Sequence, residues 1–237
     1  MAFVWNIKKG AIPFTPKEDM VAKWFLKLLI KECPKTCSFL TILNVDTIKF
    51  FWSPVMDPHE NGIMGAWCVT TPRNVYMVNL HLNRNVPMYN NKGSNVSRSG
   101  EIKDLYTCQT MMSLMDCNVG MTLVHELIHM LQFKASPIGY VFNRLVTLFV
   151  DRVPYLEQIG IEYDARVNSE TDELIEFLRD LNHSITSYFS AIQSQKSTDP
   201  DNWLYKHWAG VGRDEKPHTD KIMRITKEYF DLINKDI

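Results

Sequence analysis

The chain has 237 residues, 45% of them hydrophobic and 22% charged, with 26 Lys and Arg against 27 Asp and Glu. That length can bury a substantial core within one domain. A formal net charge of −1 leaves no bulk field to steer the chain to nucleic acid or an anionic membrane, so neither is expected as a partner.

The opening residues, MAFVWNIKKGAIPF, hold no long apolar run behind their basic residues, so no cleaved signal peptide is expected. Thr15-Pro16-Lys17-Glu18 has the form of a capping box with proline at the first helical position. Met20, Val21, Trp24, Phe25, Leu28 and Leu29 follow at helical spacing, and Pro34 ends that helix. Five cysteines (Cys33, Cys37, Cys68, Cys108 and Cys117) are odd in number and unpatterned, which fits a reducing cytoplasm. Cys33 and Cys37 stand four apart with no second pair behind them, so they do not read as a metal knuckle.

The next stretch is strand-rich. Residues 38–43, 47–52, 63–69 and 75–81 are short runs of β-branched and aromatic side chains, separated by Asn, Asp, Pro and Gly in a manner that suits antiparallel turns. Residues 83–103, rich in Asn, Ser and Gly, read as a surface loop or a loop beside a substrate groove. From about Leu105 the chain turns helical, with segments 138–150, 154–168, 171–192 and 217–234 and prolines 137, 154 and 217 at helix starts. Stretch 138–150, the most apolar, is broken by Asn143 and Arg144 and is too short to span a bilayer. There is no internal repeat. Helix, strands and then helices argue for an α+β fold, a single domain over 1–237. Its parts are an N-terminal helix (1–37), a strand-rich part with the site helices (38–168) and a helical C-terminal extension (169–237).

Residues 125–129 read His125-Glu126-Leu127-Ile128-His129, the H-E-x-x-H pattern. Positions i and i+4 lie one above the other on a helix, so both imidazoles can reach one ion. Glu126 is turned about 100° from His125 and can hold a proton beside the metal instead of ligating it. A chance match in a chain of this length is on the order of 1%. Winding 118–133 puts Gly120, Leu123, Val124, Leu127, Ile128, Met130 and Leu131 on one arc. Asn118, Thr122, His125, Glu126, His129 and Gln132 lie on the other, with Phe133 intruding there. A core helix with one polar stripe is expected, and buried imidazoles need partners, which a metal would supply to both at once or which backbone and carboxylate groups would supply by hydrogen bonds.

Catalytic zinc takes three protein ligands and leaves a position for water. Candidates for the third are His59, His81, Glu157, Glu162, Glu170, His183, His207 and His218. On a helix opened by Pro154, Glu157 and Glu162 project about 140° apart and cannot both face one ion. Glu162 shares a face with Tyr155, Ile159 and Ala165, and the small Ala165 would let two helices approach, so Glu162 is favoured. Arg166, one turn on, could instead hold it as a surface pair.

His125-Glu126-x-x-His129 with Gln132, followed by Glu162-x-x-Ala165, resembles the gluzincin kind of zincin metallopeptidase. It is more closely similar to small bacterial and phage proteins with H-E-x-x-H-x-x-Q and a later E-x-x-A. The resemblance covers roughly residues 60–168. It implies a zincin-like fold with a small antiparallel or mixed sheet and an active-site helix. It also implies His125, His129 and Glu162 as ligands to one Zn²⁺, and Glu126 as catalytic base. Zincins place an antiparallel edge strand before that helix, and 75–81 is positioned for it. A fainter similarity to SprT-like zincins rests on His125 to Gln132 and on Pro217-His218-Thr219, and would make His218 the third ligand.

The reaction implied is peptide-bond hydrolysis by an endopeptidase. Zinc lowers the pKa of bound water and polarises the carbonyl, while Glu126 moves the proton to the leaving amine. Tyr155, Tyr163 or His183 would donate to the developing oxyanion, with Tyr155 preferred for its shared face with Glu162. Asp116 or Asp164 would orient the histidines. An extended peptide or protein substrate would pair with strand 75–81. The competing expectation is a non-catalytic zinc-binding protein of the same fold, in a phage particle or as an interaction module. A third is a regulatory protease acting on one partner through the C-terminal helices and Trp203, Trp208 and Tyr229. The expected location is cytoplasmic, in a host cell or virion if phage-encoded.

Overall fold

The computed structural model describes residues 12–52, 66–70, 76–80, 105–136, 160–194, 206 and 216–236. The first element is the two-residue strand β1 (Ile12–Pro13), which leads into helix α1 (Pro16–Glu32). The capping box forms as read. Glu18 N–H donates to Thr15 Oγ1 at 3.2 Å, and Thr15 N–H donates to the Glu18 carboxylate at 2.7 Å. Caps of this kind are worth about 1 kcal/mol. Val21, Phe25 and Leu29 of α1, which the sequence marked, are fully buried, as is Leu26, which it did not mark; the marked Met20 and Trp24 are half-buried.

Residues 38–43 are not the strand that β propensity suggests. A short helix α2 (Pro34–Cys37) is followed by a second, α3 (Leu40–Leu43). The reason lies outside the segment. The Glu173 carboxylate accepts from Thr36 N–H and from Thr36 Oγ1, both at 2.9 Å, and so caps α2 from a distant helix. Leu40 and Leu43, three apart, are both buried, which is a helical and not a strand period. Asn44, at φ 55°, ends the segment in the left-handed region, and Val45–Thr47 forms one 3₁₀ turn.

Strands β2 (Lys49–Trp52), β3 (Ala66–Thr70) and β4 (Tyr76–Leu80) complete a four-stranded sheet in the order β1-β2-β4-β3. The pairing is mixed, the second of the two arrangements expected. β3 and β4 are antiparallel, with Thr70 opposite Tyr76, but β2 and β4 run parallel, with Lys49 opposite Met77. β4 therefore lies inside the sheet, and the expectation that 75–81 is an edge strand does not hold. Among the described residues it is β3 that has a single strand neighbour on the site side of the sheet.

Helices α4 (Leu105–Met112) and α5 (Cys117–Ala135) follow, joined by a 3₁₀ turn at Ser113–Met115. Then come α6 (Ile161–Ser169), α7 (Asp172–Ser194) and α8 (Lys216–Asn234). The last two match the expected segments closely. The expected segment 138–150 and the loop 83–103 lie outside the described residues. Helix plus mixed sheet makes the chain α+β, with helix predominant. One contiguous buried cluster draws on α1, β2, α4, α5, α7 and α8. The ends of α1 and α8 are tied as well, Lys17 Nζ donating to Ile233 O at 2.8 Å and Lys221 pairing with Glu32 at 3.1 Å. No helix among the described residues is long and apolar enough to cross a membrane.

Candidate metal centre

Helix α5 carries the H-E-x-x-H segment. It starts where it does because Asp116 is its N-cap, its carboxylate accepting from Asn118 N–H at 3.0 Å and from Val119 N–H at 3.4 Å. Asp116 therefore holds the helix start, more than two turns before His125, and does not orient the histidines.

The division of α5 into two faces is as expected. Gly120, Leu123, Val124, Leu127, Ile128 and Met130 are buried, while Asn118 is exposed and Thr122, His125, Glu126 and Gln132 are partly exposed. His129 is the member of the polar stripe that is fully buried. Gly120 on the apolar face meets α7, Gln132 on the polar side bonds to α6, and the helix also packs on β3. Gly120 makes the α7 contact possible, since a Cβ there would lie 2.8 Å and 2.9 Å from the two terminal carbons of Leu178.

The two imidazoles face each other. Their rings stand nearly perpendicular at 87° with centroids 4.6 Å apart, and Nε2 of His125 lies 3.0 Å from Nε2 of His129. On the other side of its ring, His129 Nδ1 is 2.8 Å from Gln132 Oε1. Gln132 Nε2 donates to Asp164 Oδ2 at 2.7 Å, which joins α5 to α6. Asn168 Nδ2 donates to Asp164 Oδ1 at 2.9 Å and to the Asp164 carbonyl at 2.7 Å. Of the two carboxylates named as histidine-orienting, Asp164 is thus connected to one, through Gln132. The sequence signal for Gln132 was its place in the polar stripe, one turn past His129.

A zinc ion with Zn–N bonds near 2.05 Å and tetrahedral angles sets two ligating nitrogens about 3.3 Å apart. The observed 3.0 Å is within a few tenths of an ångström of that, so the pair fits a shared ion with little movement.

Helix α6 carries Glu162, whose side chain lies outside the described residues. Position 162 falls on the same face as Ala165 and Ser169, three and seven residues on, and both of those are buried. Ala165 is the small residue expected where α6 packs on α5. The helix does not run from Pro154, however. It begins at Ile161, after Gly160 at φ 92° and ψ −167°, a conformation glycine adopts readily and one that breaks helical phase. No continuous helix passes through Gly160, so the helix face expected to be shared by Tyr155 and Glu162 does not form, and Tyr155 itself lies outside the described residues, as do Glu157, His59, His81 and His207.

Tyr163 is 40% exposed with the Arg166 guanidinium 5.8 Å from its ring centre, and His183 is exposed on α7. His218 does not reach the histidine pair. It sits on α8 with its Nε2 3.0 Å from Asp180 Oδ2 on α7. Among the described residues no three His, Cys, Asp or Glu side chains stand close enough together to hold a metal ion. His218, His183 and Glu170 form no such group with the histidine pair among the described residues.

Comparison of the chain with family models, curated proteins and solved structures finds no match.

Proposed function

We propose that this chain is a zinc-dependent endopeptidase in which His125, His129 and Glu162 hold one Zn²⁺ and Glu126 is the general base. The observation that carries this reading is the 3.0 Å approach of the two Nε2 atoms on a helix with one buried face, with Glu126 next to the first histidine in the chain. When bound, zinc would supply a Lewis acid that polarises the scissile carbonyl and brings the pKa of water toward neutrality. Glu126 accepts the proton of the attacking water and passes it to the leaving amine. His125 and Glu126 are partly exposed and so within reach of a substrate, while His129 in the same stripe is buried. An intact glutamate next to the first histidine favours an enzyme over a purely structural zinc site, which has no use for a base.

The test is metal analysis paired with a proteolysis assay on wild type and Glu126→Gln. One zinc per chain in both proteins, with cleavage by wild type alone, is the expected result. A wild type that takes up no zinc overturns the proposal. Zinc in both proteins with cleavage of nothing in a broad peptide and protein panel would favour a non-catalytic zinc-binding role.

A further inference from the structure

We infer that Asp164 and Gln132 form an orienting relay that holds His129 as its Nδ1–H tautomer and so keeps the Nε2 lone pair turned toward His125. Its value to a metal rests on the function proposed above, but the tautomer does not. An ionised carboxylate only accepts hydrogen bonds, so the Gln132 atom 2.7 Å from Asp164 Oδ2 is the amide nitrogen. That fixes the amide, and its carbonyl oxygen is the atom 2.8 Å from His129 Nδ1. A carbonyl oxygen has no proton to give, so Nδ1 carries one. A neutral imidazole carries only one, and Nε2 therefore carries none. Reversing the amide would set its oxygen against the carboxylate at 2.7 Å and its NH₂ against Nδ1, moving the ring proton to Nε2, where it would block ligation.

Asn168 holds the outer end of the chain. It donates to the second carboxylate oxygen and to the Asp164 carbonyl, so Asp164 is braced from its own helix one turn on. His129 is fully buried, and the relay meets the demand of its inner nitrogen without water. The relay has a second effect. It links α5 to α6 two residues past Glu162, so the bond chain that orients one proposed ligand also sets the helix that bears another. Gln132 and Asp164 are positioning residues in this account, and neither touches the reacting atoms.

The test uses the metal-free protein with ¹⁵N-labelled histidine, read by long-range ¹H–¹⁵N correlation at about pH 8, where an ordinary imidazole is neutral. His129 is assigned by the signal lost in His129→Asn. Wild type should show the Nδ1–H form, and Gln132→Leu should shift it toward Nε2–H. The double variant Q132E/D164N rebuilds the relay with its charge moved one step inward. The carboxylate introduced at position 132 would accept from Nδ1 and from the amide introduced at position 164, whose oxygen would accept from Asn168. It should therefore restore the Nδ1–H form. Zinc affinity, measured by competition with a chelator, should fall about 10- to 100-fold in Gln132→Leu and return in the double variant. Should Gln132→Leu not fold, as judged by circular dichroism, Asp164→Leu at the exposed end of the relay frees the amide to turn and gives the same readout. A wild type protonated at Nε2, or relay variants with unchanged tautomer and affinity, would overturn the inference. A tautomer that follows the relay in a protein that takes no zinc would support the relay and sink the metal reading.

Discussion

Glu126 and Glu162 differ in what their loss should do, and the difference separates a proton carrier from a ligand. Removing an orienting partner of a metal ligand costs about 10- to 100-fold in affinity, so removing a ligand should cost more. Glu162→Ala is expected to weaken zinc binding by more than about 100-fold, measured by chelator competition, while Glu126→Gln leaves it near wild type. Undiminished affinity in Glu162→Ala would place the third ligand elsewhere. Asp116→Ala acts on stability alone, because it removes an N-cap. A loss of about 1 kcal/mol by urea titration is expected, with zinc affinity unchanged. At this scale the sequence is readable where spacing alone decides, as for the approach of His125 and His129. Asp164 is not readable in detail because it meets Gln132 across 32 positions, through the packing of α5 on α6. Asp116 does carry a local signal, an aspartate directly before a helical run, and that signal points to a cap and not to the histidines.

Helices are held by contacts that single substitutions can probe. Gly120 lets α7 approach α5, and any side chain there must displace Leu178, which is fully buried. Gly120→Val should cost about 2 kcal/mol through overpacking, outweighing its gain in helix propensity, and lower the melting temperature by about 4–8 °C. A melting temperature at or above wild type would show that Leu178 yields freely. Between α8 and α4, the buried Tyr229 hydroxyl donates to the Cys108 carbonyl at 2.5 Å. Tyr229→Phe removes the donor and keeps the ring, so a loss of about 1 kcal/mol is expected by urea titration. The elements themselves are legible where local chemistry agrees with tertiary context. The capping box of α1 and the long amphipathic α7 and α8 are such cases. Residues 38–43 depart from their β propensity because the cap that makes α2 helical, Glu173, comes from a distant helix. The sheet order is likewise hidden, since strand propensity marks where strands lie and not which neighbours they choose.

Across the whole molecule, burial of thiols makes stability depend on alkaline pH. Desolvation, with help from the nearby Glu173 and Glu32 charges, pushes the Cys33 thiol from 9.0 up to about 12. Burial raises Cys37 in the same direction, and it raises the Tyr229 phenol as well. An unfolded thiol loses its proton above pH 9, while the folded one keeps it. The unfolded state is then favoured as pH rises, and the stability present below pH 9 is lost progressively toward pH 12. Each such thiol should cost about 1.4 kcal/mol at about pH 10 relative to about pH 8. Thermal melts over this range should show a falling midpoint, and the slope should be shallower in Cys33→Ala/Cys37→Ala. An equal slope in that variant would assign the effect to other groups. The sheet order bears on how the molecule reaches this state. β4 sits between β2 and β3 although it follows both in the chain. Thr70 and Tyr76 face each other across a short connection, whereas Lys49 must wait for Met77. Closing the shorter loop costs less entropy, so pairing β3 with β4 is entropically cheaper than pairing β2 with β4. Within the sheet, the histidine helix rests chiefly on β3, so the placement of the histidine pair depends on that hairpin being paired.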